Sequence, residues 1–338
     1  MSLKVLKEYY KQVSMKKFFL LVFVVGVMSI GFSQKSNGSI LENHPKLAAL
    51  QVENEFIATP SGEPIVLRGM SLSWSQWHGK YYTPDMVKSL KTEWNCSVIR
   101  AALAVEHGGY LQEPESEYAK IEIVIKTAIN LGLYVIIDWH DHHAENHKKE
   151  AAEFFKKIAS SYGNYPNVIY EVYNEPIDSD WKEDIKPYHE YIIKEIRKID
   201  PDNLIVLGTP TYSQDVDIAA QDPIQAKNIA YTLHFYSGTH QQEFRNKAEK
   251  ALKLKLPIFV TEFGTTKANG DDGVYVEETL KWLEFLESHK ISYCNWSVCD
   301  KDEDSAVFKP SSITKDNPQL KALTESGAFI KEYLNSFK

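Results

Sequence analysis

The sequence predicts a (β/α)8 barrel, an α/β fold built as one domain behind a short N-terminal β-hairpin. Three observations carry that expectation. Eight short runs of β-branched and aromatic residues recur along the chain. Polar loops and amphipathic helical patterns separate them. No linker or low-complexity tract divides the chain after Gln34. Apolar runs without clean alternation suit parallel strands buried on both faces. Eight strand–helix units in about 300 residues are what a closed barrel requires. A doubly wound open sheet is the alternative. It would want a Gly-rich phosphate loop after its first strand, and Gly69-Met70-Ser71-Leu72 offers no such spacing.

Residues 1–33 read as a secretory signal peptide whose true start is Met15. Lys16 and Lys17 form a positive n-region, residues 18–32 an apolar h-region, and Gly31-Phe32-Ser33 presents small residues for cleavage near Ser33. A membrane anchor is the rival reading, but a span wants ~20 apolar residues and this run is short. No Cys lies nearby, which argues against a lipoprotein. Residues 34–46 form a short N-terminal segment, and the barrel domain occupies 47–338.

Residues 50–59 with Ser61-Gly62 read as the hairpin. The eight strand runs follow: 64–70 (PIVLRGM), 97–103 (SVIRAAL), 134–140 (YVIIDWH), 168–175 (VIYEVYNE), 204–209 (LIVLGT), 229–236 (IAYTLHFY), 258–264 (IFVTEFG) and 293–298 (YCNWSV). Between them, Thr83-Pro84-Asp85 opens a helix, with Thr as N-cap and Pro at the first position. Apolar residues at helical spacing mark helices over 118–131, 147–160, 185–199, 242–254 and 274–289. Gly132 and Asp200-Pro201 are stop signals. A last helix over 327–337 closes the chain.

Composition narrows the function. The formal charge is −8, and removing residues 1–33, which hold five Lys and one Glu, takes it to −12. An acidic chain without a basic run argues against nucleic acid and fits a neutral ligand. The three cysteines, Cys96, Cys294 and Cys299, give no disulfide framework. Five residues apart on one strand, Cys294 and Cys299 are too distant to pair. Seven Trp and 19 Tyr supply core packing and flat platforms for ligands with apolar faces, such as sugar rings.

Barrel active sites lie at the C-terminal ends of the strands. Those ends carry Ser71, Ser73 and Trp74, then Arg100, His140, Asn174 and Glu175, Thr209 and Tyr212, His234 and Tyr236, Glu262, and Trp296. A Glu inside an apolar strand is costly unless it is paired or working. Glu175 and Glu262, at matched strand ends, suit the carboxylate pair of glycoside hydrolysis. Asn174 is placed to bond a sugar hydroxyl, and Trp296 to stack on a ring. Arg100 and Tyr236 are placed to hold a carboxylate ionised.

The stretch YVIIDWHDHHAENH also raises the question of metal. A catalytic zinc wants three ligands and an open position, and His140, His142 and His143 are too close along the chain to converge. His140 ends strand three and is read as a site residue rather than a metal ligand. Asp138 is expected to tie strands together and Trp139 to sit in the core. His142, His143 and His147 are expected to be solvated loop residues.

At RGMS, VIRAAL, GGYLQEP, YVIIDWH, YPNVIYEVYNEP, GTPTYSQDVD, LHFYSGTH, IFVTEFGT, NWSVCDKDEDSA and SGAFIKEY the sequence resembles glycoside hydrolase family 5, and most closely its bacterial endo-β-1,4-glucanases. The resemblance spans residues 47–337. It implies a retaining mechanism with Glu175 as acid/base and Glu262 as nucleophile, ~5 Å apart. It also implies a raised Glu175 pKa beside an ionised Glu262. Arg100, His140, Asn174, His234, Tyr236 and Trp296 would surround the cleaved sugar. Trp77, Lys301 and Glu303 would meet sugars further along the glycone side, and Tyr212 the leaving side. No cofactor and no metal are implied.

There are departures. Phe263 stands where the family often has Trp, and Tyr212 where close relatives have Trp. Ser73 stands where many carry His, and Ala104 where some carry Tyr. Mannan, xylan or mixed-linkage glucan are thus rival substrates to cellulose, and a catalytically dead sugar-binding barrel is the rival class. No carbohydrate-binding module is legible. An exported monomer acting on soluble or amorphous β-1,4-glucan is the expectation, without stable membrane insertion once the signal is cleaved.

Overall fold

The structure is a computed structural model that describes residues 44–311 and 322–338. The signal peptide expected over 1–33, and most of the segment expected over 34–46, lie outside the described residues. Each of the eight predicted runs supplies one strand of a single closed barrel. The strands are β3 (Arg68–Leu72), β4 (Val98–Ala104), β5 (Tyr134–His140), β6 (Val168–Glu171), β7 (Ile205–Leu207), β8 (Ile229–Tyr236), β9 (Ile258–Gly264) and β10 (Ser292–Val298). All neighbours are parallel, and β10 closes on β3 with Trp296 opposite Ser71. Every residue of β4, β5, β6, β7, β9 and β10 is buried. This is why the runs lack alternation: one face meets the barrel interior and the other meets helices.

Among the described residues, six longer helices carry the chain back between strands, α1 (Pro84–Thr92), α2 (Pro114–Leu131), α3 (Lys148–Tyr162), α4 (Lys186–Arg197), α5 (Gln242–Lys253) and α6 (Val276–Ser288), and α7 (Glu325–Asn335) follows the last strand. Thr83 caps α1, its Oγ1 accepting the Met86 N–H at 3.2 Å. Thr324 caps α7 in the same way, accepting from Gly327 at 3.0 Å. Gly132, at φ 65°, ends α2 as a left-handed cap. Helix α2 starts four residues before its apolar periodicity, because Pro114 and the acidic Glu115 and Glu117 form a polar first turn. After β7 the crossover uses only short turns, Pro210–Ser213 and Val216–Ala219.

The hairpin β1 (Gln51–Glu53) and β2 (Phe56–Ala58) is antiparallel. Leu50 and Ile57 join a buried cluster with Ile136, Ile169, Val206, Ala230, Phe259 and Cys294. The hairpin thus stoppers the N-terminal mouth of the barrel and leaves the other mouth to the site. Asn228 ties it down, accepting from the Val52 N–H at 2.7 Å and donating to the Leu50 carbonyl at 2.9 Å.

Several strand boundaries differ from expectation. The first barrel strand begins at Arg68 rather than 64, because Ile65 donates its N–H to Ile57 of the hairpin instead. β7 stops at Leu207, short of 209. β6 stops at Glu171, so Asn174 and Glu175 sit in the loop beyond it. That loop stays tethered to the barrel: Asn174 N–H donates to the Trp139 carbonyl at 3.2 Å and Glu175 N–H to the Asp141 carbonyl at 3.3 Å.

Candidate active site

At the C-terminal mouth the site is assembled around one buried cation. Arg100, on β4, is fully buried. Its guanidinium donates to Glu171 Oε2 at 2.7 Å, Glu262 Oε2 at 2.9 Å, Asn174 Oδ1 at 2.6 Å and Ser71 Oγ at 3.3 Å, and lies 3.0 Å from Asp138 Oδ2. Burying a charge is tolerated only when its donors are satisfied by such a set. The sequence-predicted Asp138 does tie strands together: it joins β5 to Arg100 on β4, and to His140 Nδ1 at 2.6 Å.

Glu262 on β9 accepts from Arg100 on one oxygen and from the Tyr236 hydroxyl, at 2.9 Å, on the other. Glu175 is bracketed by two imidazoles. Its Oε1 lies 2.9 Å from His234 Nδ1 and its Oε2 3.4 Å from His142 Nε2. Glu175, His234 and Glu262 each bring one atom within 4.8 Å of the others. That reach matches the ~5–5.5 Å carboxyl separation of a double-displacement pair and falls short of the ~6.5–9.5 Å of a single-displacement pair.

The charges in this resting site are ordered differently from the expectation. Burial pushes Glu175 up, but hydrogen bonds from His142 and His234 outweigh it and hold the carboxyl at about 2. Glu262 is raised instead, by burial and by the neighbouring Glu175 charge, against the pull of His234, Arg100 and Tyr236. The reason is the pair of histidines: sequence placed neither of them against Glu175.

A cluster of two carboxylates and an imidazole is also a possible cation seat. Here both His234 nitrogens are committed, Nδ1 to Glu175 and Nε2 to Thr261 Oγ1 at 2.9 Å. Burial lowers the His234 pKa, but the Glu171 and Glu175 carboxylates beside it raise it to about 9, which favours the protonated ring at neutral pH. A protonated ring donates from both nitrogens.

Aromatic rings form the wall. His140 stacks on Trp296, centroids 5.2 Å apart and planes 2° from parallel, and meets Trp74 edge-on at 4.2 Å. Ser73, Trp74, Trp77, His78, Trp296, Lys301 and Glu303 line a pocket of about 300 Å³ beside the carboxylates. Trp77, 59% exposed, lies 5.2 Å from Trp74. Lys301 pairs with Glu303. Tyr212 is separate: it is 43% exposed and its N–H donates to the Pro176 carbonyl at 2.8 Å, next to Glu175. Thr211, Tyr212 and Ser213 all have φ between 55° and 58°, a left-handed run that non-glycine residues adopt only where the surroundings impose it.

Two side chains at the centre escaped the sequence reading. His142, expected among the solvated loop residues, turns its ring to Trp74 at 5.7 Å and reaches Glu175. Glu171, a Glu inside the apolar run VIYEV, carries the same signal that marks Glu175 and Glu262. His147 and His143 do belong to the loop, bonding Asp141 at 2.7 Å and 2.9 Å through Nδ1 and the backbone N–H.

The family described as cellulase (glycosyl hydrolase family 5) matches residues 58–302. Endoglucanase Z of Dickeya dadantii is 51% identical over 273 residues, 80% of this chain and 62% of that protein. The chain spans 62–64% of the length of the curated endoglucanases it matches first. A solved structure from Cytophaga hutchinsonii is 46% identical, with a TM-score of 0.81, covering 88% of this chain and 97% of its own. The catalytic domain of Thermobifida fusca endoglucanase Cel5A, solved as a variant in complex with cellotetraose, is 30% identical with a TM-score of 0.79, over 88% of this chain and all of its own.

Proposed function

The chain belongs to glycosyl hydrolase family 5, the cellulase family, and on that premise we propose that it is an exported endo-β-1,4-glucanase that cleaves with retention of configuration. The observation that carries the reading is the pair Glu175 and Glu262, with oxygens within 4.8 Å on the mouth of a barrel lined by Trp74, Trp77 and Trp296. The endoglucanase names of the relatives support the reaction, and the cellotetraose complex of the Thermobifida fusca domain supports a glucan ligand.

In this mechanism Glu262 attacks the anomeric carbon as the glycosidic C–O bond breaks, and Glu175 gives its proton to the leaving oxygen. Water then returns a proton to Glu175 while its oxygen takes the anomeric carbon from Glu262. Arg100 and Tyr236 hold the Glu262 oxygens for in-line attack. One reactive proton serves the acid step. When it sits on Glu175, Glu262 loses the like charge that raises it and becomes the better nucleophile. A leaving-group oxygen entering between His142 and Glu175 breaks their 3.4 Å contact and shifts the proton toward Glu175. Trp296 and Trp77 stack glycone rings, Lys301 and Glu303 bond more distant hydroxyls, and Tyr212 stacks on the leaving side. No metal or cofactor enters these steps.

Reducing ends released from a soluble cellulose derivative test the reading, run beside mannan, xylan and mixed-linkage glucan. Wild type cleaves the cellulose derivative fastest. Glu262→Gln abolishes turnover, and Glu175→Gln lowers kcat by about 10²–10⁴. Turnover by Glu262→Gln at the wild-type rate would end the mechanism, and faster cleavage of another polymer would change the substrate. We assign residues 1–33 to an export signal, 34–46 to a short N-terminal segment and 47–338 to the hydrolase domain, active as a monomer. N-terminal sequencing of the secreted protein checks the boundary. Among the described residues no helix is long and apolar enough to cross a membrane.

A further inference from the structure

Behind Glu175 a line of hydrogen bonds runs into the barrel core. Glu175 Oε1 meets His234 Nδ1 at 2.9 Å, His234 Nε2 meets Thr261 Oγ1 at 2.9 Å, and Thr261 Oγ1 donates to Glu171 Oε1 at 2.6 Å. Glu171 is fully buried on β6, and Thr261 on β9 precedes Glu262. Neither touches the space a substrate would occupy. The proposed reaction gives neither a role.

The chemistry of each atom fixes the direction of the line. Arg100 donates to both oxygens of Glu171, which therefore acts as an ionised acceptor. The Thr261 hydroxyl has one proton, and it goes to Glu171. Its oxygen can then only accept, so His234 must carry a proton on Nε2. Thr232 Oγ1, 2.5 Å from Thr261 Oγ1, supplies the other bond to that oxygen. With Nε2–H fixed, the contact between Nδ1 and Glu175 needs one further proton, resting on either nitrogen or oxygen. We infer that Glu171 and Thr261 are positioning residues that pin the His234 tautomer and thereby hold a single transferable proton between His234 and Glu175.

Groups on every neighbouring element act on that proton. Glu171 and Glu175 flank His234 from β6 and the loop after it, and Glu262 faces it from β9. Asp138 and His140 act from β5, Arg100 from β4 through Glu171, and His142 through Glu175. Breaking the line at Thr261 removes the acceptor for Nε2–H, so the protonated ring becomes less stable and loses its proton at lower pH. Burial is the opposing influence on His234, and the Glu171 carboxylate, 3.8 Å from Nε2 beyond Thr261, is the largest that counters it.

This inference rests on the proposed glycosidase reaction, and two readouts separate their fates. The first is the pH dependence of kcat and KM on a soluble cellulose derivative for Thr261→Val, Thr261→Ser and Glu171→Gln. Thr261→Val keeps the shape and loses the hydroxyl. Its alkaline limb moves to lower pH by about one unit, the scale of one lost charge-assisted hydrogen bond, with kcat reduced and KM unchanged. Thr261→Ser restores the wild-type limb. An unmoved limb in Thr261→Val, or a serine variant shifted as far as the valine one, overturns the inference. The second readout is the ¹⁵N spectrum of His234, which needs no turnover. The wild type shows protonated Nε2 and Thr261→Val loses that fixed signature; identical spectra overturn the inference. If the wild type cleaves no glycan, the proposed function falls while the spectra still decide this point.

Discussion

His142 is the residue where chemistry and sequence part most clearly. Its ring is half-exposed at the mouth, 3.4 Å from Glu175, and its pKa is raised: burial opposes the charge, but the Glu175 hydrogen bond prevails. A cation there stabilises both carboxylates in their charged forms. His142→Ala therefore moves the acid limb of kcat/KM to higher pH, a shift read from a pH–rate profile between 3 and 7; an unmoved limb would remove His142 from the site. Stability follows the same charges. Glu175, lowered from 4.5 to about 2, contributes stability above its ordinary value that is lost as pH falls through 4.5 toward 2. His234, raised from 6.5 to about 9, contributes stability below 6.5 that is lost as pH climbs to 9. Glu262, raised by burial, works against the fold as pH rises out of the carboxylate range. Tm is thus expected to fall steadily from pH 6.5 to 9, and a flat Tm across that interval would contradict the cationic His234. Glu175 and Glu262 stand out in the sequence because each breaks an apolar run. It could not place His142, 33 positions from Glu175 on another loop, because only the closed barrel brings the two together.

At the scale of elements, every strand run in the sequence found its strand, because a buried parallel strand has little freedom in composition. The ends were less legible. Val172 and Tyr173 are as buried as the strand before them, so the apolar pattern runs on past the point where β6 stops. Helix starts were written more clearly. At α1 the Thr83 side chain satisfies one N–H that the first turn leaves open. Thr83→Ala costs about 1 kcal/mol in denaturant unfolding while Thr83→Ser costs less; equal losses would mean that the methyl group, not the hydroxyl, matters. The β7 crossover shows what patterns miss altogether. The left-handed run Thr211–Ser213 carries no Gly or Asn to announce it, and it is held by Ser213, whose Oγ donates to the Asn174 carbonyl at 2.7 Å and accepts from the Thr209 N–H at 3.2 Å. That bond links the loop bearing Tyr212 directly to the loop bearing Glu175.

Across the whole molecule, stability and chemistry occupy opposite mouths of one barrel. The hairpin residue Ile57 is buried in the cluster at the N-terminal mouth. Ile57→Ala lowers unfolding stability by about 2–5 kcal/mol, the range for emptying a buried aliphatic site, and leaves KM unchanged at temperatures where the variant stays folded. A changed KM would show that the two mouths are coupled. The cysteines follow from the same division of labour. All three are free and buried, and burial raises each thiol above its ordinary range, so none is primed to react at neutral pH. Cohesion comes from packed side chains and the Arg100 network, with no covalent cross-link to form. Maturation of this barrel then calls for no oxidant and no isomerase for disulfides, and the redox potential of the surroundings is a matter of indifference: the same fold is attainable in a reducing cell interior and in the oxidising medium outside it.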